Sequence, residues 1–166
     1  MDDPIGTTVN GERCSLPGGA SVLLIDALRE GLGLLGPKKS CELSVCGSCT
    51  VLIDNEPYSS CMTLAQEATG REVTTVEGFG RRGELSDVQQ AFIEAGAIQC
   101  GFCTPGFVTA VHALLDRHPN PDRATIQRYL AGNICRCTGY APMLEAVERV
   151  RDRRLAAAEA GLEQVR

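Results

Sequence analysis

The chain has 166 residues, a net charge of −5 and a pI near 5.1. This charge argues against a nucleic-acid partner, because no basic stripe with interleaved aromatic residues occurs. No stretch approaches the ~18 apolar residues of a membrane span, and Arg81–Arg82 lacks the apolar run of a twin-arginine export signal. The acidic N-terminus lacks a signal-peptide pattern, so we expect a cytoplasmic protein without an integral membrane segment.

Residues 1–78 predict a small mixed sheet that carries one helix. Asn10–Gly11 is a hairpin turn signal, and a second strand ends at Asp54–Asn55. The β-branched run in REVTTVEG predicts a third strand. A helix is predicted over SVLLIDALREGLG, with Ser21 as its cap. Its apolar face and its possible glycine ends are Leu24, Ala27, Leu28, Gly31 and Gly33.

Residues 86–155 predict four short helices, packed as a bundle. Ser86 and Gln89 form a capping-box pattern, and Thr104 is placed to cap the second helix ahead of Pro105. Asp122 is placed to cap the third helix. Pro142 lies near the start of the fourth helix. The predicted inward residues are Val88, Ala91, Phe92, Ala95, Phe107, Val108, Val111, Leu114, Leu115, Leu144, Val147 and Val150.

The two halves imply two small domains. Residues 79–85 form the predicted linker, and residues 156–166 form a tail that either extends the last helix or frays. The glycine pattern GLGLLG, residues 31–36, is compatible with a dinucleotide-binding loop. Such a loop follows a strand and opens a helix, whereas here it follows a helix, so we interpret it as a helix exit.

Nine cysteines suggest metal or redox chemistry, because a reducing compartment disfavours structural disulfides. In CELSVCGSC, four residues and then two separate successive cysteines, the plant-type ferredoxin spacing with a more distant fourth ligand. The small residues Ser44, Gly47 and Ser48 allow the backbone to approach a metal core. Structural zinc and disulfides fit this spacing poorly. The predicted ligands of a first [2Fe–2S] cluster are Cys41, Cys46, Cys49 and Cys61.

Four further cysteines are predicted to meet at one end of the helices. Cys100 and Cys103 precede the second helix, and Cys135 and Cys137 lie between the third and the fourth. Alone, these thiols could hold zinc as well as iron. Beside a ferredoxin-like loop in the same chain, a second [2Fe–2S] cluster is favoured. Its net charge of about −2 would be offset by helix N-termini; Arg136 either adds positive charge or is a solvated loop residue.

Five segments carry a specific pattern: GPKKSCELSVCGSCTVLID, SSCMTLA, VTTVEG, QQAFIEAGAIQCGFCTPGFV and GNICRCTGY. The order of QCGFCTPG and GNICRCTGY is the most specific part. On these residues the chain resembles the iron–sulfur subunit of the molybdenum hydroxylases, the xanthine oxidase family. The resemblance runs from about residue 6 to about residue 150.

The resemblance implies an α+β fold, with an N-terminal β-grasp, plant-ferredoxin-like domain followed by a C-terminal four-helix bundle, each holding one [2Fe–2S] cluster. It also implies a large partner subunit with molybdopterin and a medium partner subunit with FAD, assembled as a dimer of heterotrimers. In the family's scheme, single electrons leave molybdenum through the helical-domain cluster, then the ferredoxin-domain cluster, and reach the flavin. Gln99 and Cys137 match positions that approach the pterin of the neighbouring subunit. No catalytic acid, base or nucleophile is implied in this chain.

The first cysteine loop departs from the family's pattern, which carries more glycine, around a motif like GCGEGQCGAC. Ser40, Glu42, Leu43 and Ser44 replace several of those residues. The ligand spacing is unchanged, so the type of cluster is unaffected. The amide geometry around the sulfurs can differ, and with it the reduction potential.

Two other functions remain open at this stage: a zinc-stapled adaptor that assembles other subunits, and a free-standing ferredoxin that serves several reductases. Colour and metal content distinguish the zinc-stapled adaptor from an iron–sulfur protein. A stable complex with two larger chains argues against the free-standing ferredoxin. Outside the two cysteine sets, Cys14 is expected to be a plain strand thiol. We expect surface or packing roles for His112 and His118, and helix-entry packing for Tyr140.

Overall fold

The computed structural model describes residues 5–17, 21–80 and 83–163 of the chain. Arg81 and Arg82, and with them part of the predicted linker, lie outside the described residues. The structure combines a five-stranded mixed sheet with a group of helices, so the predicted α+β class is confirmed. No helix in these three ranges has both the length and the apolar composition that crossing a membrane requires.

The sheet has the strand order β2-β1-β5-β3-β4. Strand β1 pairs with β5 in parallel, and the other neighbours are antiparallel. The prediction of a mixed sheet in the first half of the chain is therefore confirmed. The strands are β1 Ile5–Val9, β2 Glu12–Leu16, β3 Thr50–Ile53, β4 Glu56–Ser59 and β5 Glu72–Thr74.

Both predicted turns join antiparallel strands. Asn10 and Gly11 connect β1 to β2 with φ values of 52° and 80°. Asp54 and Asn55 connect β3 to β4 with φ values of 50° and 66°. Two consecutive residues with positive φ match the right-handed twist of a hairpin, which explains the choice of Asn, Asp and Gly.

Helix α1 spans Leu24–Asp26 and continues as a π-helical turn over Ala27–Gly31. Its predicted apolar face is buried against the sheet, together with Val51, Ile53 and Val73. The prediction that Ser21 caps this helix is wrong. Leu23 stands at the N-cap, because it pairs with Leu64 in an extended bridge that keeps the preceding chain from turning into the helix.

Four helices form the second half, as predicted. Ser86 accepts a hydrogen bond from the amide of Gln89, whose side chain accepts one from the amide of Ser86, so the capping box is confirmed. Asp122 caps the third of these helices through the amide of Thr125. The last helix continues through most of the predicted tail. The bounds are α2 Asp87–Glu94, α3 Thr104–Arg117, α4 Arg123–Leu130 and α5 Ala141–Glu163.

The start of α3 differs from the prediction. Thr104 is the first helical residue and not its cap, and Cys103 takes the N-cap position without a side-chain hydrogen bond. The Thr104 hydroxyl, which the sequence suggested as a cap, is thus inside the helix. The Cys103 thiol lies at the N-terminus of α3, where the helix dipole is positive.

The two halves pack directly on each other through α3. This helix lies against strands β3 and β4 on one side and against α2 and α4 on the other. Arg117 near its C-terminus forms an ion pair with Glu56 of β4. The helical core is apolar, and its largest fully buried side chains include Phe92, Phe107 and Leu114. Helix α3 therefore fixes how the first cysteine loop faces the second.

Candidate metal centres

The first cysteine loop curls around the Cys41 sulfur. The amides of Leu43 and Cys46 point at Cys41 Sγ, at 3.5 and 3.4 Å. Together with the amide of Val45, they lower the pKa of the Cys41 thiol to about 6. Amide donors that favour a thiolate are the environment that a thiolate-bound metal centre requires.

Two residues of this loop adopt the left-handed conformation without being glycine. Glu42 has a φ of 53° and Ser44 a φ of 57°. The family that the sequence resembles carries glycine at these positions, and glycine adopts such φ values without strain. The replacement of glycine by Glu42 and Ser44 therefore introduces backbone strain into the loop. Gly47, with a φ of 69°, is the third left-handed residue.

The other two thiols of the first set are buried. Cys49 and Cys61 pack with Ile25, and both are almost inaccessible to solvent. Burial, together with the neighbouring Cys61 thiol, raises the pKa of Cys49 to about 12. Such a thiol stays protonated in water and releases its proton to solvent when a metal ion binds the sulfur, because the charge of the metal compensates the thiolate.

The second set assembles from two loops at the N-terminal end of α3. Cys100 and Cys137 lie at the surface with their sulfurs 3.8 Å apart. Cys103 and Cys135 are buried next to each other. Burial raises the pKa of Cys103 to about 12, and the neighbouring Cys135 thiol adds to this shift. The expectation that both pairs reach one end of the helices agrees with this geometry.

The Cys135 sulfur is the amide-supported thiol of the second set. Burial raises its pKa, but hydrogen bonds from the Thr138 hydroxyl, the Thr138 amide and the Cys137 amide outweigh burial, so the pKa falls to about 7. The Thr138 hydroxyl lies 3.2 Å from Cys135 Sγ. The Cys135 amide donates to the Tyr140 hydroxyl at 3.0 Å. Tyr140, to which the sequence assigned only packing, therefore holds this loop in place, and its φ is 69°.

The thiols of each set are neighbours in pairs. Cys46 is next to Cys41, Cys61 next to Cys49, and Cys135 next to Cys103, and the sulfurs of Cys100 and Cys137 lie 3.8 Å apart. Among the described residues, no three His, Cys, Asp or Glu side chains converge as ligands of one metal ion. Two pairs per set fit a [2Fe–2S] cluster, where each iron takes two thiolates.

The two cysteine loops contact each other directly. The Ile134 amide donates to the Cys46 carbonyl oxygen at 2.9 Å. The Asn133 side-chain amide donates to the Gly47 carbonyl oxygen at 3.1 Å. Nothing in the sequence pattern singled out this contact, because it joins residues that are 86 positions apart.

The remaining candidate residues lie around these loops. Gln99 and Arg136 are exposed, close in sequence to Cys100 and to Cys137. Cys14 is in strand β2 and packs against the core of the sheet, away from both cysteine sets. His112 is buried, stacked on Phe79 with ring centroids 3.8 Å apart and hydrogen-bonded to Ser86.

Comparison with known families divides the chain at the same place as the fold. Residues 7–76 match the family described as 2Fe-2S iron-sulfur cluster binding domain. Residues 75–148 match the family described as [2Fe-2S] binding domain. Both families bind [2Fe–2S] clusters and each matched range contains one of the two cysteine sets, so the chain holds two [2Fe–2S] clusters.

Individual relatives match over nearly their whole length. The nicotinate dehydrogenase small FeS subunit of Eubacterium barkeri is 42% identical over 143 residues, which are 86% of this chain and 91% of the relative. The xanthine dehydrogenase iron-sulfur-binding subunit of Escherichia coli O157:H7 is 45% identical, with 86% of this chain and 91% of the relative covered. A chain of quinoline 2-oxidoreductase from Pseudomonas putida 86 superposes with a TM-score of 0.88 at 39% identity, covering 93% and 97%. The chain belongs to the iron–sulfur small subunits of the molybdenum hydroxylases, the xanthine oxidase family, and is the electron-transferring subunit of such an oxidoreductase.

Proposed function

We propose that this chain carries single electrons from a molybdopterin centre in a large subunit to FAD in a medium subunit. Cys41, Cys46, Cys49 and Cys61 would hold one [2Fe–2S] cluster, and Cys100, Cys103, Cys135 and Cys137 the other. When bound, the clusters supply one-electron redox chemistry, and the chain supplies ligands, amides and burial. The single observation that carries the assignment is the pairing of eight thiols into two sets.

The order of the two centres in this proposal follows from the family resemblance. Residues 1–78 would form the domain next to the flavin, residues 79–85 the linker, and residues 86–155 the domain next to molybdenum, with residues 156–166 as the tail. Gln99, beside the second set, and Cys137, a member of that set, are both exposed and would face the pterin. A cytoplasmic location is part of the proposal, because thiols stay reduced and available for iron there.

Charge supports a cluster at the second set. The N-terminus of α3 begins at Thr104, directly after Cys103, so the positive end of a 14-residue helix lies against these sulfurs. A four-thiolate cluster carries about −2 and is stabilised there. At the first set, amide donors to Cys41 take the same role.

Exposed apolar side chains next to both sets support burial by partner subunits. Leu43 and Met62, which adjoin ligands of the first set, are 71% and 58% exposed. Phe102 and Ile134, which adjoin ligands of the second set, are 45% and 47% exposed. Large apolar side chains around an exposed redox site are typical of a surface that another chain covers. The two surfaces suit two partners, as in a heterotrimer or a dimer of heterotrimers.

Metal analysis and paramagnetic resonance test the two sets. The purified full chain should be brown, contain about four iron atoms, and give two distinct signals after reduction with dithionite. Zinc in place of iron, or a single signal, would contradict the assignment of two four-cysteine sets.

Co-purification tests the partners. When the genes for this chain and its neighbouring large and medium chains are expressed together, a stoichiometric complex with molybdopterin and FAD should form. Replacing Leu43 and Phe102 by Asp should weaken this complex without loss of iron. A chain that stays monomeric and exchanges electrons with unrelated reductases would instead support the free-standing ferredoxin.

A further inference from the structure

Asn133 is a buried polar residue whose side chain bridges the two cysteine loops. It is 7% exposed and lies two residues before Cys135. Its backbone amide donates to the Leu130 carbonyl at 2.9 Å, which ties it to the end of α4. Its side-chain amide donates to the Gly47 carbonyl at 3.1 Å, inside the first loop. One residue therefore connects the helical half to the loop that carries Cys46 and Cys49.

A second hydrogen bond runs beside the first. The amide of Ile134 donates to the Cys46 carbonyl at 2.9 Å. Two consecutive residues of the second loop thus hold two consecutive carbonyl oxygens of the first. A two-point contact between short loops restricts both their distance and their relative rotation, as a single hydrogen bond would not.

Two glycines make this contact close. A Cβ atom at Gly47 would lie 2.4 Å from the Asn133 side-chain nitrogen. A Cβ atom at Gly106, in the first turn of α3, would lie 2.1 Å from the Gly47 carbonyl oxygen. The first loop is therefore clamped between α3 and Asn133, with no space for a side chain on either face.

The first loop also has hydrogen bonds of its own at the Gly47 carbonyl. The Gly47 carbonyl also accepts hydrogen bonds from the Thr50 hydroxyl at 2.7 Å and from the Thr50 amide at 3.2 Å. Removal of the Asn133 side chain leaves this carbonyl satisfied, so the loss in stability is that of one ordinary hydrogen bond. What it removes is the side-chain connection between the two loops.

We propose that Asn133 is a positioning residue that fixes the separation of the two clusters. This inference rests on the proposed function, in which each loop holds one cluster. Because electron tunnelling through protein falls steeply with distance, a fixed loop-to-loop contact sets both the rate of transfer and the magnetic interaction between the clusters. Asn133 acts through the Gly47 carbonyl and does not contact a sulfur.

The test compares Asn133→Ala with Thr109→Ala in the full chain loaded with iron. Thr109 is fully buried and donates one hydrogen bond to the Pro105 carbonyl at 2.9 Å, but this bond lies within α3 and joins no two loops. Three readouts are needed: iron content with the two resonance signals, the splitting of those signals by their magnetic interaction when both clusters are reduced, and the rate of electron transfer between clusters after flash reduction. Urea unfolding gives the stability of each variant.

Asn133→Ala should keep full iron and both signals, while the splitting weakens and the transfer rate falls severalfold. Thr109→Ala should lose similar stability and leave both the splitting and the rate at wild-type values. An unchanged splitting and rate in Asn133→Ala, equal changes in both variants, or loss of one signal in Asn133→Ala would each overturn the positioning role. A wild-type chain without two iron signals would instead overturn the proposed function, before any variant is compared.

Discussion

The thiols of the two cysteine sets have similar surroundings, but different arrangements of chain segments bring them together. In the first set, three of four thiols come from one nine-residue loop, and amides of the same loop support Cys41. In the second set, the thiols come from two loops that are separated by helices α3 and α4. Each set nevertheless combines one thiol with a lowered pKa, Cys41 or Cys135, and one with a pKa near 12, Cys49 or Cys103.

This difference shows which centre depends on the tertiary fold. The sulfurs of Cys41, Cys46 and Cys49 come together once residues 41–49 have adopted their loop conformation. This conformation requires local backbone strain at Glu42 and Ser44. The second set exists only after the helices have packed, and a bound cluster there joins the segment before α3 to the segment before α5. A crosslink between distant segments removes more freedom from the unfolded chain than a crosslink within one loop.

Loss of one ligand from each set should give the largest effects. Cys41→Ser and Cys100→Ser should each lower the iron content from about four to about two atoms per chain, with loss of a different resonance signal. Cys100→Ser should lower the thermal unfolding midpoint more, because its cluster staples distant segments. Iron analysis, paramagnetic resonance and calorimetry measure these outcomes.

Cys14→Ser is the matched control, since Cys14 packs against the core of the sheet. It should keep all iron and both signals. Equal unfolding midpoints for Cys41→Ser and Cys100→Ser would remove the distinction between a local and a tertiary centre.

A side chain at Gly106 should disturb the contact between helix α3 and the first cysteine loop. Gly106→Ala places a methyl group 2.1 Å from the Gly47 carbonyl oxygen, so backbone on one side must move. We expect a cost of roughly 2–4 kcal/mol in the free energy of unfolding, measured by urea titration. Gly132→Ala, where the added Cβ atom would meet nothing within 4 Å apart from its chain neighbours, is the control and should change stability by less than about 1 kcal/mol. A Gly106→Ala protein as stable as Gly132→Ala would mean that α3 is not in firm contact with the first cysteine loop.

The sequence predicted the local features and missed the contacts between distant residues. The hairpins at Asn10–Gly11 and Asp54–Asn55 follow from residues that tolerate positive φ, and the capping box at Ser86 is a four-residue pattern. The predicted caps at Ser21 and Thr104 failed. Leu23 pairs with Leu64 directly before the first helix, and Cys103 occupies the N-cap position of α3. Cysteine spacing indicated the first set, and the second became specific only through the family resemblance. Asn133 was missed, since its partner is far away in the sequence.

Acid should affect the helical half through a buried histidine. Burial and the nearby Arg154 lower the pKa of His112 to about 4, against the opposing effect of Asp87 and Asp116. The unfolded chain, with an ordinary pKa near 6.5, then binds a proton that the folded chain does not. The resulting stability is present above about pH 6.5 and is lost as the pH falls towards 4. Between pH 7.5 and pH 5, we expect a loss of roughly 2 kcal/mol from this group.

Urea unfolding at several pH values tests this dependence. His112→Gln should flatten the curve between pH 6.5 and pH 5 relative to wild type. His118→Gln, at an exposed histidine just after α3, should keep the wild-type slope. The same slope in both variants would show that His112 is not the group that makes the helical half sensitive to acid.

The smallest expected effect concerns the strained first loop. Ser44 has a φ of 57°, where glycine is unstrained, so Ser44→Gly should relieve up to about 1 kcal/mol of strain. Greater freedom of the unfolded chain offsets part of this gain. Ser40 is an exposed residue beside the same loop and has no positive φ. Ser40→Gly therefore only increases the freedom of the unfolded chain, which should lower the free energy of unfolding by about 0.5–1 kcal/mol. Thermal loss of visible absorbance compares the two variants, and Ser44→Gly should keep its first cluster at higher temperature than Ser40→Gly. If both variants lose it at the same temperature, the left-handed residues carry no strain, and the first centre depends on its packing as much as the second does.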